Sequence, residues 1–269
     1  MVILILLLVF GKTETQKSNF PHKETSAIQQ FNVTEFITKQ KSSLTPSQVL
    51  YVSKLENSIT RGDVKNQLLK TYKELAQFWK DTVNAFIPYS YYLSEAAKLD
   101  NSEKNLTFAA QLMLDSMRGE QNPLLKSWEA ERGADLFQKA IILDPGSDNL
   151  KIGLGSCYVY GKGMIGDASE TMKGIQQLLQ VVRKDSNNMT AQMVLGVGGV
   201  ISRQYDKAIE RLEKVVAFDK RNLEAVSWLA DAYAAKNDKV NAKKWYEYSK
   251  KLVNNPEYSK TVDERISAL

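Results

Sequence analysis

A recurrence at 34 residues near the C-terminus limits what this chain can fold into. Leu195-Gly196, Ala208 and Leu212 return as Leu229-Ala230, Ala242 and Tyr246, matched in residue kind as well as in spacing. A small residue in each of two successive helices lets their backbones cross closely, and a large apolar residue one turn later fills the groove beside the crossing. The pattern predicts an all-α fold in which antiparallel helix pairs stack into a superhelix, each pair burying its apolar face against the next.

Composition agrees with a folded helical protein and removes several classes of chemistry. The 269 residues are 43% hydrophobic, enough to bury a sizeable core. The net charge of +5 comes from 36 basic and 31 acidic residues scattered along the chain. No stretch gathers Lys and Arg with stacking aromatics, so a nucleic-acid surface is not expected. Cys157 is the only cysteine and His22 the only histidine, which leaves no disulfide framework, zinc ligand set or Cys/His couple. Cys157 reads as a small core residue and His22 as part of a solvated linker. The carboxylates Glu129, Glu131 and Glu170 read as solvated helix faces, and Asp144 with Asp148 makes no calcium loop. The expectation is a non-enzymatic protein without metal or cofactor.

The N-terminus has a different character. Residues 1–10 (MVILILLLVF) are continuously apolar, but ten residues rise only about 15 Å as a helix, about half of a bilayer core. They are read as an export signal or membrane anchor, although a basic leader and an Ala-x-Ala site are both missing. Residues 11–43, rich in Thr, Ser, Gln, Asn and Lys, are read as a polar, disordered tether. Asn-x-Thr triplets start at Asn32, Asn105 and Asn188; the latter two fall at expected helix starts, where Asn is a common cap.

Order is expected from Leu44. Thr45-Pro46 opens a helix that Arg61-Gly62 stops, a second helix runs from Asp63 to Trp79, and a third runs from Ala85 to Leu99 with Pro88 in its first turn. A pair over 102–117 and 127–143 follows, with Phe108, Ala109, Leu112 and Met113 turned inward and residues 118–126 as an insertion between the two helices. Asp144-Pro145 closes the second helix because proline lacks the amide hydrogen that would continue it. Leu154-Gly155 precedes Leu195-Gly196 by 41 residues, one unit plus about seven, and the surplus is assigned to the glycine-rich segment between Tyr158 and Asp167.

With Gly155 and Tyr158, Gly196 and Ala208, and Ala230, Tyr233 and Ala242 in phase, the chain from Leu44 onward resembles tetratricopeptide repeat (TPR) proteins. Together with its N-terminus it resembles membrane-tethered bacterial envelope members of that family. The resemblance implies a right-handed superhelix: irregular helix pairs over 44–147, regular units over 148–256 and a capping helix over 257–269. It implies a scaffold or assembly factor that holds a protein or peptide in the concave groove formed by the first helix of each pair. On this sequence that groove would include Asn149, Ile152, Ser156, Thr190, Met193, Val197, Glu224, Ser227 and Asp231. The expected location is the periplasmic side of a bacterial cell envelope rather than the cytoplasm, with membrane contact only through the N-terminal segment; self-association is a further option.

A rival reading starts from residues 161–166, which spell G-x-G-x-x-G. Gly161, Gly163 and Gly166 would cradle a dinucleotide's phosphates and Asp185 would hold its ribose, with 152–160 and 181–184 as strands. Gly153 and Gly155 are poor residues for a central strand, and the repeat phase runs through the same stretch.

Overall fold

The computed structural model describes residues 30–61 and 64–269. The apolar run 1–10, most of the polar stretch after it and His22 lie outside the described residues. Among the described residues there are thirteen α-helices and no strand. They are α1 (Val33–Lys41), α2 (Pro46–Arg61), α3 (Lys65–Gln77), α4 (Phe86–Asp100), α5 (Glu103–Gly119), α6 (Pro123–Leu143), α7 (Asp148–Ser156), α8 (Ala168–Lys184), α9 (Met189–Ile201), α10 (Tyr205–Phe218), α11 (Leu223–Ala235), α12 (Lys239–Val253) and α13 (Pro256–Ser267). From α3 to α12 they pack as successive pairs, each leaning on the next, in a helical solenoid. One continuous core runs from α4 to α11, a second aromatic cluster holds α1 to α4, and a small third one seats α13 on the last pair.

The turns repeat as strictly as the core. Between pairs, Asp144, Asp185 and Asp219 each end a helix in non-helical geometry. Each accepts the amide two residues on with its carboxylate and the amide three residues on with its carbonyl. Ser147, Asn188 and Asn222 then cap the next helix, accepting from Leu150, Ala191 and Ala225, each cap contributing about 1 kcal/mol. Within pairs, Arg203 and Asn237 take left-handed backbone, and the amides of Gln204 and Asp238 reach back five residues to Gly199 and Tyr233, the Schellman closure. Gly166, with φ of 96°, occupies the same station, and the amide of Asp167 bonds to the carbonyl of Lys162.

That station makes the glycine-rich segment the end of a helix. After Ser156 the chain continues as a π-helix over Cys157–Lys162 and a 3₁₀ turn over Gly163–Ile165. Gly161 and Gly163 are buried because the helix runs hard against its neighbours: a Cβ on Gly161 would fall 2.3 Å from the Ala130 methyl, and one on Gly163 would fall 2.5 Å from the Thr171 hydroxyl. The surplus residues are also divided differently from the expectation. From Gly155 to Gly166 is four positions longer than from Gly196 to Arg203, and α8 carries the remaining three beyond α10.

Four other expectations are corrected. The stretch expected to be a tether contains α1, capped by Asn32 through the amide of Glu35; Ile37 is buried, and Phe31 packs between Phe36 and Trp128. Four apolar residues suffice because the surface they cover is already folded. Helix α6 begins at Pro123 rather than 127, with the Asn122 side chain accepting from the amides of Leu124 and Leu125, so the supposed insertion shrinks to a short turn. Phe108 is 56% exposed, while Leu106, Ala109, Ala110, Met113, Leu114 and Met117 form the buried face of α5. Of the two Asn expected as caps, Asn188 is one; Ser102 caps α5 in place of Asn105.

Candidate functional site

The first helices of three pairs, α5, α7 and α9, face a common hollow of about 720 Å³ that the start of α11 and the end of α10 close. Side chains reach it for a simple geometric reason. Thr107, Gln111, Leu114 and Arg118 follow one another at helical spacing along α5, and Asn149, Ile152, Ser156 and Tyr160 do so along α7 and its π extension. Thr190, Met193 and Val194 make the same stripe on α9.

The floor is apolar, with Ile152 and Met193 almost fully buried, and the rim is neutral and polar, with Asn149 and Thr190 exposed. One charge pair crosses the hollow. Arg118 Nη2 donates to Glu224 Oε2 at 2.5 Å, joining residues 106 apart in sequence, and the guanidinium lies 4.6 Å from the centre of the Tyr160 ring. Tyr160 itself is 4% exposed, and its phenol lies close to the Glu224 carboxylate. Burial, reinforced by the negative charge of Glu224, pushes that phenol well above its ordinary pKa.

Six of the nine residues assigned to the groove, Asn149, Ile152, Ser156, Thr190, Met193 and Glu224, line this hollow. The other three lie elsewhere. Val197 has no exposed surface and belongs to the core beneath α9. The Ser227 hydroxyl sits 3.4 Å from that of Tyr258 on α13. Asp231 accepts from the Tyr246 hydroxyl at 2.6 Å and from Arg265 Nη1 at 2.9 Å. The capping helix therefore uses Ser227 and Asp231 for attachment, covering the stretch where a further unit would continue the groove. Arg118 and Tyr160 were missed because their importance depends on a contact with α11 that no local spacing announces.

The dinucleotide reading is overturned. The segments 152–160 and 181–184 are helical, Gly161 and Gly163 are buried against α6 and α8, and Gly166 is a helix terminator. Asp185 shapes the turn between pairs, its carboxylate accepting from the amide of Asn187 at 2.9 Å.

Two buried groups lie apart from the hollow. Cys157 is fully buried, and desolvation pushes its thiol far above the usual range. Glu129 corrects the reading of a solvated carboxylate: it has no exposed surface and sits at the α5–α6 contact. Its Oε1 accepts from Ser116 Oγ at 2.7 Å, while Oε2 has no partner. Burial raises its pKa to about 7, against the lowering effect of the Ser116 bond. Among the described residues no helix is long and apolar enough to cross a membrane.

No family model matches the sequence, and no curated protein matches it. Among solved structures it is similar to a double mutant of MamA RS-1, at 17% identity over 70% of this chain and 95% of that one, with a TM-score of 0.51. MamA from Desulfovibrio magneticus RS-1 is similar at 18% identity, covering 70% and 94% of the two chains with a TM-score of 0.48. YrrB, a TPR protein with an unusual peptide-binding site, is similar at 14% identity, covering 78% and 97% with a TM-score of 0.49. The first of these likenesses and the repeating turns agree on the fold, a tetratricopeptide-type helical solenoid.

Proposed function

We propose that this tetratricopeptide-type solenoid is a non-enzymatic scaffold that holds a segment of a protein partner in its concave hollow. The observation that carries the proposal is the hollow itself: about 720 Å³, with an apolar floor of Ile152 and Met193 and a rim of neutral amides and hydroxyls. Such a lining accepts side chains below and pairs with a peptide backbone at the edge. The apolar run 1–10 supports a position at a bacterial envelope, tethered and facing the periplasm.

A photo-crosslinking amino acid placed at Thr190 in the cell tests the contact, with Lys139 on α6 as the control position. A discrete protein adduct from Thr190 alone is the expected result, and it should vanish with Asn149→Arg. Adducts of equal yield from both positions, or none from Thr190, would refute the groove assignment. Fractionation of the same cells tests the location, and recovery of the full chain in the cytosolic fraction would refute it.

A further inference from the structure

The outer face of the last two pairs carries a second cleft, formed by second helices only and separate from the concave hollow. It measures about 540 Å³ and lies between α10 and α12, walled by Val216, Ala217, Trp245 and Tyr248. The rings of Trp245 and Tyr248 meet edge-on, with centroids 5.8 Å apart and planes at 85°. Both rings pack against the main core on one side. The Tyr248 hydroxyl donates to the carbonyl of Lys220 at 3.1 Å, tying the ring to the turn after α10. Two aromatic walls held in place around a Val-Ala floor make a receptor sized for one or two apolar side chains.

The charges around this cleft are unevenly committed. Glu213 accepts from the Tyr233 hydroxyl at 2.7 Å, and Glu247 pairs with Lys250 at 3.2 Å, so both carboxylates already serve the fold. Lys220, Lys244 and Lys251 are exposed, and none forms an ion pair with a described residue. Lys244 lies 5.2 Å from the centre of the Trp245 ring. On α12, Lys244, Tyr248 and Lys251 follow at the spacing of one helix face, which sets the two lysines roughly 10 Å apart across the apolar patch. Ordinary surface packing accounts for half-buried aromatics between successive helices. It does not account for a rim whose two acids are both engaged by other side chains while its three cations stay unpaired.

We propose that this outer cleft docks an acidic protein segment bearing one large apolar side chain. The apolar group enters between Trp245 and Val216, and carboxylates on either side of it meet Lys244 and Lys251. An extended chain places every third residue roughly 10 Å apart, which matches the separation of the two lysines. The positive field of the rim steers such a segment to the cleft and discriminates against basic ones.

The test uses the full chain and two fluorescent decapeptides, Gly-Ser-Glu-Asp-Phe-Leu-Asp-Glu-Ser-Gly and the same peptide with every acid replaced by lysine. Fluorescence anisotropy is expected to show saturable binding of the acidic peptide and none of the basic one. Lys244→Glu with Lys251→Glu, both at exposed positions, should weaken binding by about tenfold or more. Thr190→Arg in the concave hollow should leave it unchanged, so the two sites fail or succeed separately. Equal binding of the two peptides, no binding at millimolar peptide, full binding by the lysine variant, or loss through Thr190→Arg would each overturn the proposal. So would lysine-dependent binding of phosphatidylglycerol vesicles without binding of the acidic peptide, which would assign the cleft to a membrane surface.

Discussion

Gly174→Ala adds one methyl group to the middle of α8 and should cost the whole solenoid stability. The new Cβ would lie 2.8 Å from the carbonyl oxygen of Gly155, 2.9 Å from Tyr158 Cβ and 3.1 Å from Val159 Cγ2, where ordinary contact begins at 3.4 Å. The nearest wall is backbone, which cannot rotate away, so α7 and α8 must separate by roughly half an ångström. A gap of that size forfeits about a quarter to a half of the dispersion energy at each contact along the seam, and overpacking of this kind costs about 1 to 3 kcal/mol. A backbone wall places this case at the upper end. Alanine returns about 1 kcal/mol through its better helix propensity, leaving a net loss of about 2 kcal/mol, or roughly 4 to 8 °C in Tm for a folded region of this size. Thermal and urea denaturation of the full chain measure it. Gly119→Ala, where no atom lies within 4 Å of the added methyl, should be neutral or slightly stabilising. A Gly174→Ala protein that melts with or above the parent would show slack at the α7–α8 crossing and refute the reasoning.

Ala208→Leu presses on the bare backbone of Gly199, whose own missing Cβ would sit 3.0 Å from the Ala208 methyl; a loss of about 1 to 3 kcal/mol is expected in the same melts. Glu129 releases its proton near 4.5 in the unfolded chain and near 7 in the folded one. The native state therefore binds more protons between those values, and stability should fall by about 3 kcal/mol as pH rises through that window. Glu129→Gln should flatten the fall, as read from urea midpoints at about pH 5 and about pH 8; an equal fall in parent and variant would refute the assignment. Cys157, buried and with its thiol pushed upward, should react with Ellman's reagent only in denaturant, and rapid labelling of the native chain would contradict its place in the core.

How much of this was readable in the residues depended on how far the information lies from them. The 34-residue period located α9 to α12, because small residues such as Gly196 and Ala208 mark close crossings wherever they stand. No proline follows Asp185 or Asp219, yet both close their units with the same two bonds as Asp144; the aspartate makes the turn and the proline is dispensable. Gly161 and Gly163 misled because glycine ordinarily interrupts a helix, and what keeps them helical is the proximity of Ala130 and Thr171 on two other helices. Helix α1 was illegible for a related reason, since its apolar residues are too few to form a core and need only cover one. In the hollow, the stripes on α7 and α9 were legible from spacing. The Arg118–Glu224 contact was not, since it exists only once the solenoid has brought α5 and α11 together.

That contact changes how a segment would enter the hollow, apart from how tightly it is held. Arg118 and Glu224 cross the space that an occupant must fill, and both side chains are partly exposed, 44% and 39%. Opening the pair costs no more than about 1 kcal/mol, a cost that salt lowers by screening. Entry of an uncharged peptide should therefore quicken as ionic strength rises, by up to about fivefold, the reverse of the slowing seen where attraction between charges draws the partners together. The bridge acts as a latch on the rate of exchange, and its setting is the salt concentration of the compartment.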